Sequence, residues 1–90
     1  MAREFRWNDW NIDHIAEHGI AIEQAEFLVL SAQKPWPSYE GNGRWLVRGQ
    51  DQRGLYLQVA YIVDDDGTIY MIHARQLNDK EKRLLRRRRR

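Results

Sequence analysis

The chain changes character part-way along: apolar positions first recur at helical spacing and then alternate. Glu4 to Trp7 reads as a short strand. Asn8 or Asp9 can cap a helix running to about His18, because a short polar side chain there accepts from the unpaired N–H groups of the first turn. Gly19 supplies the left-handed residue on which helices end. A second helix is expected from about Ile22 to Ser31, with Ile22, Ala25, Phe27, Leu28 and Val29 as its apolar stripe, although Ala21 is a poor cap. Pro35 and Pro37 forbid helix and fit an irregular edge strand.

The remainder reads as a meander. Arg44 to Gly49 alternates, Gln50 to Gly54 is a turn, and Tyr56 to Val63 is rich in aromatic and β-branched residues. Asp64-Asp65-Asp66-Gly67 is a strong turn signal, after which Thr68 to Arg75 returns as another strand. Asn78 followed by Glu81 has the spacing of a capping box, opening a terminal helix that carries Leu84 and Leu85. Segregation of helices from strands predicts an α+β domain: a small antiparallel sheet of about four strands, two N-terminal helices packed on one face, and a C-terminal helix.

Strand parity then assigns faces, since side chains alternate along a strand. If the acidic turn pairs Val63 with Thr68, Leu57, Val59, Tyr61 and Val63 share an apolar face with Tyr70, Ile72 and Ala74. Trp45 and Val47 fall on that face, which should meet the helices. The opposite face carries Tyr56, Gln58, Ala60 and Ile62 beside Ile69, Met71, His73 and Arg75, joined by Arg44, Leu46 and Arg48. In this register Gln58 faces His73 and Tyr56 faces Arg75. Arg48, Tyr56, Gln58, His73 and Arg75 would converge at one end, where two permanent cations, an imidazole, a phenol and an amide suit a phosphate. The plainer reading is an exposed polar sheet face, common in antiparallel sheets.

Ninety residues make one domain, spanning 1–90, and ten aromatics help so small a core. The absence of cysteine excludes disulfides and thiolate metal sites and fits a reducing, cytoplasmic setting. No apolar run approaches a membrane span, and Met1 to Trp10 lacks the apolar region of a secretory signal. The net charge of +2 conceals an asymmetry: residues 82–90 form a tail with seven basic side chains, whereas residues 1–81 hold all 13 acidic ones. Arg86 and Arg87, with the arginines after them, are expected to lie outside the core and to attract an anionic partner by charge.

Several short motifs, none specific alone, form a fairly specific series. They are Phe5-x-Trp7, His18-Gly19-Ile20 before an acidic helix, Arg48-Gly49 closing a strand, Gly67-Thr68-Ile69 leading into Ile72-His73-Ala74-Arg75, and Glu81 in the last helix. In this order the chain resembles the BrnT family of bacterial toxins over nearly its whole length. It departs from the family pattern at Asn8-Asp9-Trp10-Asn11 and in its Arg tail. The resemblance implies a RelE-like fold, metal-independent RNA cleavage, no cofactor, and neutralisation by a ribbon-helix-helix antitoxin in a type II toxin–antitoxin system.

Cleavage of that kind attacks a phosphate with the neighbouring 2′-hydroxyl. It needs a base, cations for the charge gained by the phosphoryl oxygens, and an acid for the leaving oxygen. His73 is the best titratable candidate and Arg48 and Arg75 the natural clamps, while Glu81 could serve as a base, hold an arginine, or merely cap its helix. Arg44, Tyr56, Gln58, Arg86 and Arg87 are expected to contact RNA. His14-Ile15-Ala16-Glu17-His18 matches a zinc-peptidase pattern, but Gly19 ends the helix at once and the body offers little room for a cleft. Both histidines therefore read as polar helix positions near the sheet edge. Trp36, Tyr39 and Trp45, around Gly41 and Gly43, could stack bases but read better as core. Two functions from different classes follow: a ribonuclease toxin, or a non-catalytic module of the same fold that binds an antitoxin-type partner or nucleic acid.

Overall fold

The computed structural model describes residues 4–88, with the side chain of Arg88 left aside; Arg89 and Arg90, the end of the expected basic tail, lie outside the described residues. In order, the elements are β1 (Phe5–Arg6), α1 (Asp9–Ala16), α2 (Ile22–Leu30), β2 (Ser38–Gly41), β3 (Arg44–Gln50), β4 (Tyr56–Val63), β5 (Ile69–Gln76) and α3 (Asp79–Arg88). The domain is α+β, as the segregation of helices and strands predicts. Its sheet has five strands in the order β1-β5-β4-β3-β2, all pairs antiparallel except β1 with β5. The two-residue β1 is too short to cover β5, so the far half of that edge needs another cover.

That cover is α1. Asn8 caps it by accepting from Asn11 N–H, and the Asn11 side chain accepts from Asn8 N–H in return. The Asn11 amide is fully buried and donates to Arg6 O at 3.1 Å and to Met71 O at 3.0 Å. It thereby pins α1 to a carbonyl of β5. Helix α1 ends at Ala16 rather than near His18, and Gly19 follows at φ +75. Helix α2 lacks a capping side chain at Ala21, and Gln24 compensates by accepting from Ala21 N–H at 2.7 Å.

Ile15, Ile20, Ala25, Leu28 and Val29 pack on Val47, Leu57, Val59, Tyr61, Ile69, Met71 and Ala74 to form the core. Trp7, Trp36 and Trp45 pack against it, whereas Tyr39 stays exposed with its ring tilted against that of Trp45. The expected core reading of Trp36 and Trp45 thus stands.

Register differs from the parity reading in two places. Val63 pairs with Ile69, not Thr68, because Thr68 belongs to the turn: its carbonyl accepts from Asp64 N–H, and Gly67 sits at φ +87. This one-residue slip turns Ile69 and Met71 into the core and leaves Tyr70 on the opposite face. A bulge then leaves Ile72 without a partner, since Ala60 pairs with His73 but Tyr61 with Met71. The bulge restores the expected faces beyond it with the pairs slid by two. Gln58 therefore faces Arg75 rather than His73, and Tyr56 does not face Arg75.

Helix α3 opens with the expected capping box: Asn78 N–H donates to Glu81 and Glu81 N–H to Asn78, both at 2.9 Å. Leu85 is 2% exposed and anchors α3, while Leu84 stays largely exposed. The basic segment is helical through Arg88, with Arg86 and Arg87 exposed, so burial of Leu85 outweighs repulsion within the cationic run. Among the described residues no helix is long and apolar enough to cross a membrane.

Candidate active site

Cross-strand pairing lines up the polar face of the sheet in rows. Arg44, Ile62 and Tyr70 form one row, Leu46, Ala60 and His73 the next, and Arg48, Gln58 and Arg75 the third. These rows oppose Val47, Leu57 and Val59, as side-chain alternation requires. The hairpin turn between β2 and β3, with Asn42 and Gly43 at φ 55 and 77, overhangs the face at one side. An open groove of about 400 Å³ results, lined among others by Glu40, Arg44, Leu46, Arg48, Gln58 and His73. Of the residues expected to contact substrate, Arg44, Arg48, Gln58 and His73 share this groove.

Arg75 and Glu81 are turned to another task. Glu81 takes Arg75 in a two-point ion pair at 2.8 and 2.9 Å and also accepts from Arg48 at 3.1 Å. Arg48 in turn donates to Gln58 at 3.0 Å, which fixes its guanidinium at the groove end. The hydrogen bonds from Arg75, then that from Asn78 N–H, hold the Glu81 carboxyl down to about 2. A carboxylate so acidic is a poor general base at neutral pH. Of the roles open to Glu81, the geometry supports holding arginines and capping α3. Two cations share one anion, leaving this end of the groove a single net positive charge.

Glu81→Gln should cost roughly 2 kcal/mol of stability, because Arg48 and Arg75 lose their common counter-charge. The folded carboxyl is more acidic than its unfolded value of 4.5. Its contribution is therefore complete above that value and is lost as the pH falls toward 2. Urea midpoints across acid pH should decline more steeply for the wild type than for Glu81→Gln. Parallel declines would place the stabilisation elsewhere.

His73 is half-buried. Burial, followed by the charge of Arg75, by His18 and His14 and by Arg44, pushes its imidazole below the ordinary 6.5. At neutral pH it is held in the uncharged form, able to accept a proton. His14 comes from α1 and His18 from the turn that follows it, their ring centroids 6.5 and 5.8 Å from that of His73, with His18 edge-on. Sequence reasoning left both as plain polar positions, and it also missed Glu40 on the rim. The signal was present in Trp10, His14 and His18, spaced four apart on one side of α1 and its C-terminal turn. What aims that side at His73 is the Asn11 contact with the β5 edge.

Tyr56 and Arg86 lie together instead of in the groove: Arg86 Nε donates to Tyr56 OH at 3.4 Å, and its guanidinium is 5.2 Å from the ring. Arg87 is exposed on α3. Among the described residues no group of three or more His, Asp or Glu side chains is arranged to hold a metal ion. No family model, curated protein or solved structure matches this chain, so the reading of the site rests on its geometry and chemistry.

Proposed function

We propose that this chain is a metal-independent endoribonuclease, the toxin of a type II toxin–antitoxin pair acting in the cytoplasm. The observation that carries the reading is an imidazole kept uncharged inside a groove that also presents Arg44 and Arg48. His73 takes the proton of a 2′-hydroxyl, and that oxygen forms a bond to the adjacent phosphorus. The bond from phosphorus to the 5′-oxygen breaks as a proton reaches that oxygen, leaving a 2′,3′-cyclic phosphate and a 5′-hydroxyl. His18, whose ring centroid is 5.8 Å from that of His73, delivers that proton. Arg44 and Arg48 bind the phosphoryl oxygens as their charge grows. Arg75 acts through Glu81 by holding Arg48 in line. The series of motifs that resembles the BrnT family supports the same chemistry and implies a ribbon-helix-helix antitoxin as the protein partner.

One observation favours a second reading. Glu81 engages both Arg48 and Arg75, withdrawing part of the charge a phosphate would use. A non-catalytic module that binds RNA or an antitoxin-type partner would tolerate that arrangement. Incubation of the purified chain with RNA in EDTA separates the two. The expected outcome is fragments ending in 2′,3′-cyclic phosphate, absent with the His73→Ala, Arg48→Ala double variant. Equal background cleavage by both proteins would remove the enzyme and leave the binding module.

A further inference from the structure

Rings continue out of the groove along α1. His14 lies 6.5 Å from His73, and Trp10 stacks on His14 at 4.7 Å with their planes only 11° apart. Tyr70 lies 6.5 Å from Trp10 at 19°, and the Arg6 guanidinium covers the Tyr70 ring at 4.0 Å. Arg6 is itself held by Asp64 at 2.9 Å. Trp10 is nevertheless 55% exposed, so a large indole is fixed by its neighbours while much of its surface stays open to water. An indole already fixed loses little rotamer freedom when a flat ligand lands on it.

From this geometry we infer that Trp10, supported by His14 and Tyr70, is a stacking subsite for one base of single-stranded RNA next to the scissile phosphate. The assignment rests on the ribonuclease reading for the position of that phosphate, at His73 and Arg44. A base suits the strip because near-parallel rings offer it a π-face, and stacking accepts every base. Single strands are selected because duplex bases already stack on one another and cannot splay onto a side chain.

Binding of a short single-stranded 2′-fluoro RNA, which lacks the attacking hydroxyl, tests the subsite without turnover. Fluorescence anisotropy should show Trp10→Ala weakening binding by about tenfold, with Trp10→Phe recovering most of the loss. The salt slope should be unchanged by Trp10→Ala, because stacking releases no counterions, but should fall by about 0.7 of a unit in Arg44→Ala. A duplex of the same sequence should bind Trp10→Ala and wild type alike. Cleavage of ordinary RNA in EDTA, measured alongside, keeps the two ideas apart. A wild type that cleaves RNA while Trp10→Ala binds the single strand as tightly loses the subsite alone. Binding that depends on Trp10 without any cleavage loses the ribonuclease alone. A wild type that does not bind the 2′-fluoro strand, or a Trp10→Ala loss equal for strand and duplex, overturns the subsite.

Discussion

Replacing His73 by Ala should lower the rate of RNA cleavage in EDTA by about 10²- to 10⁴-fold, the usual worth of a positioned base. The groove would keep Arg44 and Arg48, so binding of a 2′-fluoro strand should change little. That contrast separates chemistry from affinity. The pH profile carries a second signature. His73 accepts a proton only when neutral, and burial together with Arg75, His18, His14 and Arg44 lowers its pKa below 6.5. The wild-type kcat/KM should therefore rise with pH along a limb centred below 6.5. In Arg44→Ala, with one opposing cation gone, the limb should move toward higher pH. The same shift bears on folding. Below 6.5 the unfolded chain takes up a proton that half-buried His73 resists, so stability falls as pH drops through that window. A His73→Ala variant that cuts RNA at the wild-type rate, with the same acid limb, would place the base on another residue.

Asn11→Leu should be the most damaging single substitution for the fold, at about 3–5 kcal/mol. The leucine fits the volume but removes the side-chain partners of the Met71 carbonyl and of the Asn8 N–H, and one of the bonds to the Arg6 carbonyl. Each buried polar group left unpaired costs about 1–3 kcal/mol. In a domain whose whole stability is of order 5–15 kcal/mol, that is a large share. At about 4–8 °C per kcal/mol for a domain of this size, Tm should fall by roughly 12–40 °C. Asn11→Asp should also be severely destabilising at neutral pH, because a carboxylate would face the same two carbonyls. Since Asn11 ties α1 to β5, a partly folded variant should also lose the approach of His14 and His18 to His73. Thermal unfolding by circular dichroism measures the first effect, and cleavage well below the new Tm measures the second. A Tm drop of only a few degrees would mean that water or a shifted helix replaces the amide.

Much of this domain was legible in the chain because its signals are local. A cap at Asn8, the left-handed stop at Gly19, the acidic turn and the Asn78–Glu81 box depend on neighbouring residues alone, and each acts where expected. Alternation in β3 and β4 likewise put Arg44, Arg48 and Gln58 on one face. Pairing across strands is different, because it depends on the number of residues in a turn and on bulges, which parity cannot count. Thr68 joined the turn and Ile72 bulged. The two offsets cancelled for the faces of His73 and Arg75 but not for their partners. The candidate site was legible only in its strand half. Only the tertiary structure decided that Asn11 would bring the helix to the open β5 edge and set His14 and His18 beside His73. It also decided that Glu81 would bind both Arg48 and Arg75, an ion-pair network spanning 33 residues of sequence. Helical spacing specifies which side chains share a stripe, but where that stripe points is set by long-range burial and hydrogen bonding, which no local pattern encodes.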